Sequence, residues 1–135
     1  MNTDSFIFTN EVPYGNDKFV ARISPNICDD NELLDALHYQ CWFPAWDGRN
    51  WNALNDLLYL FEDIEEKEIY IVHKTLPNIS EYGLKIYIEI LYDTSIRALE
   101  HKKIFVIFPV HERENVLNIL KETFENMENI DASSS

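Results

Sequence analysis

The stretch Phe43-Pro-Ala-Trp-Asp-Gly-Arg-Asn-Trp-Asn-Ala-Leu-Asn-Asp56 places an aromatic loop directly before a predicted helix. Asn50 is a good N-cap, because its side-chain oxygen can accept a hydrogen bond from an unpaired amide of the first helical turn. Gly48, just before it, allows the chain to turn sharply into the helix. The sequence therefore predicts a helix that begins at about Trp51.

This predicted helix has an apolar face and a polar face. At 3.6 residues per turn its apolar side chains gather on one side, which is typical of a helix packed on a core. They are Trp51, Leu54, Leu57, Leu58 and Phe61. The other side carries four residues at i, i+3, i+4 and i+7, which we call the polar strip. The polar strip consists of Asn52, Asn55, Asp56 and Tyr59.

The simplest interpretation of the polar strip is a solvated helix face, since exposed polar residues are common. Its composition favours a binding surface instead. Solvated helix faces are usually rich in long helix formers, whereas Asn and Asp compete for backbone hydrogen bonds and weaken a helix interior. Short side chains also lose little entropy when a partner immobilises them. We therefore predict that the polar strip faces a partner.

The string Trp46-Asp-Gly-Arg-Asn-Trp-Asn-Ala-Leu-Asn-Asp-Leu-Leu58 resembles the signature of the barstar-like ribonuclease inhibitors. The order of the predicted elements extends a weaker resemblance over residues 18–108. The resemblance implies a helix and a leading loop that enter the active-site cleft of a basic ribonuclease. It also implies that Asp56 occupies a phosphate position and that Trp46 takes the place of the loop aromatic.

Some positions depart from the family pattern. Asn52 stands where the family usually has a second aspartate, and Asn55 where some members have an aromatic residue. Many members also use an acidic residue late in the following long helix, but that register falls near residues 96 and 97 here. Asp93 and Glu100 are the nearby candidates. These departures leave the particular target open.

The aromatic loop contains a second set of candidate contacts. Trp46 lies beside Asp47 at a predicted loop tip, where burial against its own chain is difficult, so both are assigned to partner binding. Tryptophan is common in interface hot spots because it offers a large rigid area. Trp42 and Trp51 are assigned to the core. Arg49 either pairs with an internal acid or contacts an acidic feature of the partner.

The charge of the chain narrows the class of partner. Twenty-four acidic residues against eleven basic ones give a net charge of -13. Such a surface repels phosphate, so nucleic acid is not expected as a ligand and anionic membranes are disfavoured. Simple solubility would also explain the charge. Together with the polar strip, it favours a basic protein partner, whose approach it would accelerate.

The length and the cysteines indicate one domain in a reducing compartment. A chain of 135 residues can bury a proper core without covalent staples. Cys28 and Cys41 bracket a predicted helix and would lie about 20 Å apart, beyond the reach of a disulfide. The first residues have neither a basic start nor a long apolar run. We therefore expect a cytoplasmic, soluble protein with one domain over residues 1–130 and a disordered tail at 131–135.

Apolar runs and helical periodicity predict the elements around the central helix. Two amino-terminal strands could form a hairpin, and a capping box of Asp29 and Glu32 precedes the first helix. Right-handed crossovers then give an α/β fold with a small three-stranded parallel sheet, helices packed on it, an amino-terminal extended segment and an extra carboxy-terminal helix. The predicted strands are 6–8, 18–23, 69–72 and 103–108, and the predicted later helices run from Ser80 and from about 112 to 126.

Motifs for catalysis or cofactor binding are scarce. The four histidines show no zinc-ligand spacing, and three glycines are too few for a phosphate-binding loop. We therefore predict no cofactor, no metal and no enzymatic activity.

Three functions remain from different classes. The main hypothesis is an immunity protein that, as a monomer in a 1:1 complex, occludes the active site of a basic toxin nuclease, with Asp56 imitating a substrate phosphate. The alternative is an acidic adaptor that uses the same surface for a partner that is not a nuclease. A carboxylate-based hydrolase is the third, because some pair among many carboxylates will lie close together.

Overall fold

The computed structural model describes residues 3–41, 50–97 and 102–134, without the side chains of residues 55–57, 59, 60, 62 and 124–134. Strands and helices alternate along most of the chain. Their order is β1 (Phe6–Phe8), β2 (Lys18–Ile23), α1 (Asp30–Gln40), α2 (Trp51–Leu57), β3 (Glu68–His73), α3 (Glu81–Ile96), β4 (Lys103–Phe108) and α4 (Arg113–Ser134). Short 3-10 helices follow α2 at Leu58–Asp63 and β4 at Val110–Glu112.

The strands form one parallel sheet in the order β1-β4-β3-β2. The three strands predicted to form a parallel sheet, β2, β3 and β4, are confirmed, and β3 is one residue longer at each end than its apolar run suggested. The helices between them carry the chain back to the starting edge, as parallel pairing requires. The α/β class is therefore confirmed.

The prediction of an amino-terminal hairpin is wrong. β1 pairs in parallel with β4, with Phe6 opposite Val106, while β2 lies at the other edge of the sheet. The ring of Phe6 is buried between the rings of Tyr92 and Phe108, at centroid distances of 6.3 and 6.2 Å. Burial of this ring fixes β1 at the far edge, and residues 9–17 cross to β2. The sheet therefore has four strands instead of the predicted three.

The two faces of the sheet carry separate apolar clusters. The main core lies where the helices pack and includes Leu33, Leu37, Leu54, Phe61, Ile71, Ile88, Val106 and Leu120. The opposite face carries a smaller cluster in which Tyr70 stacks on Phe105 at 5.0 Å. Residues of the 9–17 connection, including Val12 and Tyr14, lie beside this second cluster.

The predicted helix starts are confirmed. Asp29 accepts a hydrogen bond from the backbone N–H of Glu32, and the Glu32 carboxylate accepts one from Cys28. Ser80 caps α3 by accepting from the N–H of Gly83. Ser80 also donates its hydroxyl to Asp30, which ties the start of α3 to the start of α1.

α2 is shorter, and α4 is longer, than the sequence predicted. α2 ends at Leu57 and continues as a 3-10 helix with about three residues per turn, so the α-helical spacing assumed for the polar strip does not extend to Tyr59. α4 continues to Ser134 and includes residues 131–134, which the sequence predicted to be disordered. No proline or glycine follows Arg113, so nothing in the sequence terminates the helix.

A buried histidine links the sheet to α3. The Nδ1 atom of His73 lies 2.9 Å from the carbonyl oxygen of Ile107, which can only accept, so Nδ1 carries the proton. Nε2 is then the acceptor for the hydroxyl of Tyr87. Burial lowers the pKa of His73 to about 4, although the bond to Ile107 opposes this. His73 is therefore a neutral core residue at physiological pH.

Candidate functional site

The start of α2 is held as the sequence predicts. The side-chain oxygen of Asn50 accepts from the N–H of Ala53 at 2.8 Å, and its carbonyl oxygen accepts from the N–H of Leu54 at 3.0 Å. Both are first-turn amides that would otherwise lack partners. The predicted N-cap and the helix start at Trp51 are therefore confirmed.

The apolar face of α2 packs inward and fixes which side is exposed. Leu54, Leu58 and Phe61 are buried in the main core. Trp51 is half-buried, and its ring packs on Tyr87 of α3 at 6.0 Å. These contacts orient α2, and Asn52 of the polar strip is exposed.

A shallow groove of about 400 Å³ lies between the start of α2 and the outer side of α3. We call it the α2/α3 groove. One wall carries the amides of Asn50 and Asn52, and the other carries two carboxylates. The residues from α3 are Tyr82, Ile86, Glu89, Ile90 and Asp93.

Burial raises the pKa of both carboxylates of the groove. Partial burial raises the pKa of Glu89, and repulsion from Asp93 raises it further. Burial likewise raises the pKa of Asp93, while Arg97 partly offsets the effect. Burial is the largest cause of both shifts, and it disfavours the ionised forms. A cation entering the groove would stabilise both carboxylates.

The structure places only part of the predicted site. Asn52 lies in the groove, together with Asp93, one of the two acidic candidates on the long helix. Trp46 and Asp47 lie outside the described residues, as do Trp42, Arg49 and Glu100. The backbone of α2 includes positions 55 and 56, one turn beyond Asn52, and position 59 lies in the 3-10 helix. The side chains of Asn55, Asp56 and Tyr59 are outside the description.

Sequence reasoning missed the contribution of Glu89 and Tyr82. A signal was present, because Tyr82, Ile86, Glu89 and Asp93 follow helical spacing beside the buried stripe of α3. Nothing in the sequence showed that these four residues of α3 lie beside α2. Tyr82 is 75% exposed, so its ring is accessible to a partner that enters the groove.

Other chemistry is limited in the described part of the chain. Among residues 3–41, 50–97 and 102–134, no group of three His, Cys, Asp or Glu side chains is placed to hold a metal ion. No helix in those ranges has both the length and the apolarity needed to cross a bilayer. Cys28 and Cys41 are free thiols at the two ends of α1, the first exposed and the second buried.

The fold and the groove together define a small parallel α/β protein with a surface groove lined by carboxylates and amides. A family model described as Barstar (barnase inhibitor) matches residues 19–110, which is more than half of the chain. The chain belongs to the barstar family. β1, the 9–17 connection and α4 lie outside the matched residues. Comparison with curated proteins and comparison with solved structures each gave no match.

Proposed function

We propose that this protein is an immunity protein that blocks the active site of a basic toxin nuclease of the ribonuclease class. It acts in the cytoplasm as a monomer and forms a 1:1 complex. Membership of the barstar family, whose description names a barnase inhibitor, supports inhibition of a ribonuclease. Two free thiols support a reducing compartment.

The α2/α3 groove is the observation that carries this proposal. Glu89 and Asp93 line the groove together, burial disfavours their ionised forms, and a lysine or arginine that enters the groove would stabilise both charges. A nuclease cleft supplies such cations, since it must grip phosphates. The amide of Asn52 on the facing wall adds a hydrogen-bonding group of the kind that fixes orientation.

Net charge contributes to the rate of association. The value of -13 creates a long-range field that draws in a basic protein and repels the nucleic acid that competes for its cleft. We expect the association rate constant to fall steeply as salt rises, because screening shortens the range of this field.

Asp56 is assigned the central contact. Its position is one helical turn beyond Asn52, and the resemblance to the family implies that it occupies a phosphate position. In that role it accepts charge-assisted hydrogen bonds from the groups that hold a substrate phosphate. The remaining contacts are assigned to Trp46, Asp47, Asn55 and Tyr59.

Affinity measurements on charge-neutral variants test this assignment. The partner is the nuclease encoded beside the gene of this protein, and the variants are Asp56→Asn, Asp93→Asn and Glu89→Gln. A hydrogen bond to a charged group contributes about 1.5–3 kcal/mol, so Asp56→Asn should weaken binding at least tenfold, mainly by faster dissociation.

Matched controls separate a direct contact from the loss of net charge. Asp17→Asn, in the exposed 9–17 connection, and Glu65→Gln, before β3, remove the same charge from exposed residues outside the groove lining. Both should change affinity by less than threefold. Equal losses for groove variants and controls would show that only bulk charge matters, and the proposed surface would then be wrong.

A further inference from the structure

A second, larger cavity of about 1010 Å³ lies at the carboxyl edge of the sheet and shares no residue with the α2/α3 groove. Its walls are the chain segments that leave the four strands, together with the outer side of α1. In open α/β sheets, ligands bind outside the carboxyl ends of the strands. The volume is at the upper end of the range for small-molecule sites, about 300–1,000 Å³.

The polar lining of this cavity is rich in hydrogen-bond donors. Four side chains each use their oxygen to accept from a backbone N–H, which leaves a hydroxyl hydrogen or an amide NH2 group as a donor. The bonds are Glu11 N–H to Thr9 at 3.1 Å, Val110 N–H to Asn10 at 3.3 Å, Asn26 N–H to Ser24 at 3.2 Å and Arg22 N–H to Gln40 at 3.4 Å. The cavity therefore favours a ligand with many acceptor atoms.

Two cations add to these donors. Arg22 is opposite Val72 in the sheet register, and Lys74 follows β3 with the same alternation, so both belong to the same side of the sheet. In the part of the chain that the structure describes, neither side chain lies within ion-pair distance of a carboxylate. Arg22 and Lys74 therefore mark a part of the cavity that suits an anion, although the lining also holds the carboxylates of Glu11 and Asp35.

The remaining lining suits a flat organic body that carries hydroxyl groups. Tyr39 is 81% exposed, and Val12 and Pro25 provide apolar surface on the same cavity. An exposed aromatic ring is a stacking platform for a nucleobase. The carboxylates of Glu11 and Asp35, also in the lining, are acceptors of the kind that bind sugar hydroxyls.

We propose that this cavity binds a nucleoside monophosphate. Arg22 and Lys74 hold the phosphate, the amide and hydroxyl donors bind acceptors of the base, and Tyr39 stacks on the base. The two sites are proposed from different residues, since the cavity and the α2/α3 groove share no lining residue.

Titration calorimetry of the full chain with AMP, adenosine, inorganic phosphate and succinate tests the proposal. AMP should bind saturably at one site, and adenosine and phosphate should each bind at least tenfold more weakly, since each lacks one half of the contacts. Amide chemical shifts in a labelled sample should move at Arg22, Gln40 and Lys74. No heat and no shifts with AMP would overturn the proposal, as would phosphate or succinate binding as tightly as AMP.

Charge-neutral variants test which side chains bind the phosphate. Arg22→Gln with Lys74→Gln should weaken AMP at least tenfold and leave adenosine unchanged, because each lost charge-assisted hydrogen bond is worth roughly tenfold in Kd. Lys67→Gln with Lys103→Gln removes the same charge from exposed residues at the other edge of the sheet and should leave AMP binding unchanged. Equal weakening by the two double variants, at unchanged melting temperature, would contradict the assigned site.

Discussion

Replacing His73 by glutamine should change how the stability of the protein depends on pH. In the folded state burial lowers the pKa of His73 to about 4, from the ordinary value of 6.5. Because the folded pKa is depressed, the unfolded chain takes up a proton before the folded chain does. The stability that neutral His73 provides is therefore fully present above pH 6.5 and is lost as the pH falls towards 4.

The size of this effect follows from the two pKa values. One pH unit of difference between folded and unfolded pKa is worth about 1.4 kcal/mol, so the acid limit of the loss is about 3.4 kcal/mol. At pH 5 the folded imidazole is still neutral while most unfolded chains are protonated, which gives a loss of about 2 kcal/mol. At pH 7.5 the loss is negligible.

Urea unfolding of wild type and His73→Gln at pH 7.5 and pH 5.0 measures this loss of stability. Glutamine cannot titrate, so the stability advantage of the wild type over the variant should shrink by about 2 kcal/mol between the two conditions. Other acids, including Glu89 and Asp93, are present in both proteins and cancel. A stability difference between wild type and His73→Gln that is the same at both pH values would refute the reasoning.

Three further predictions concern helix caps, packing and thiols. Asn50→Ala should lower the free energy of unfolding by about 1 kcal/mol, measured in urea, because the cap on Ala53 is lost, while Asn50→Asp should retain it. Gly83→Ala should lower the free energy of unfolding, although alanine gains about 1 kcal/mol in helix propensity. The reason is that a Cβ at this position would clash with the Asp30 carboxylate and lie 2.8 Å from the Ser80 hydroxyl. Adding Asp30→Ala should recover part of this loss. Iodoacetamide at pH 8 should label exposed Cys28 in the folded protein and leave Cys41 unlabelled, because burial raises the pKa of Cys41 to about 12; equal labelling of both would contradict the buried position.

Much of the fold follows from local sequence signals. Strands buried on both faces appear as continuous apolar runs, so β4 was predicted with its observed bounds. The caps at Asp29, Asn50 and Ser80 were predictable because each satisfies amides only a few residues away. Where the partner is local, the sequence pattern determines the interaction.

Pairing between distant segments could not be predicted in the same way. The three residues Phe6–Phe8 indicate an extended segment, but their pattern does not distinguish a hairpin with β2 from a parallel edge on β4. Burial of the Phe6 ring against Phe108 decides between them, and that contact spans about a hundred residues. The missed fourth strand follows from this limit.

The candidate site shows the same difference between local sequence signals and contacts between distant segments. The polar strip was visible because its spacing is local, whereas the role of Glu89 depends on which side of α3 lies against α2. The family's acidic position on the long helix falls near residues 96 and 97 of this chain. Ile96 is exposed and lies outside the groove lining. Of the two acidic candidates, Asp93 lies in the groove with Asn52, and Glu100 is outside the described residues.

Steady-state inhibition of the proposed toxin nuclease, measured with RNA as substrate at several concentrations, tests occlusion of the active site most directly. If the groove and the polar strip occupy the active site, inhibition should be competitive with RNA, should reach completion at one inhibitor per nuclease and should weaken at least tenfold in Asp56→Asn. Tight binding that leaves the nuclease active, or inhibition that does not respond to substrate concentration, would contradict occlusion of the active site.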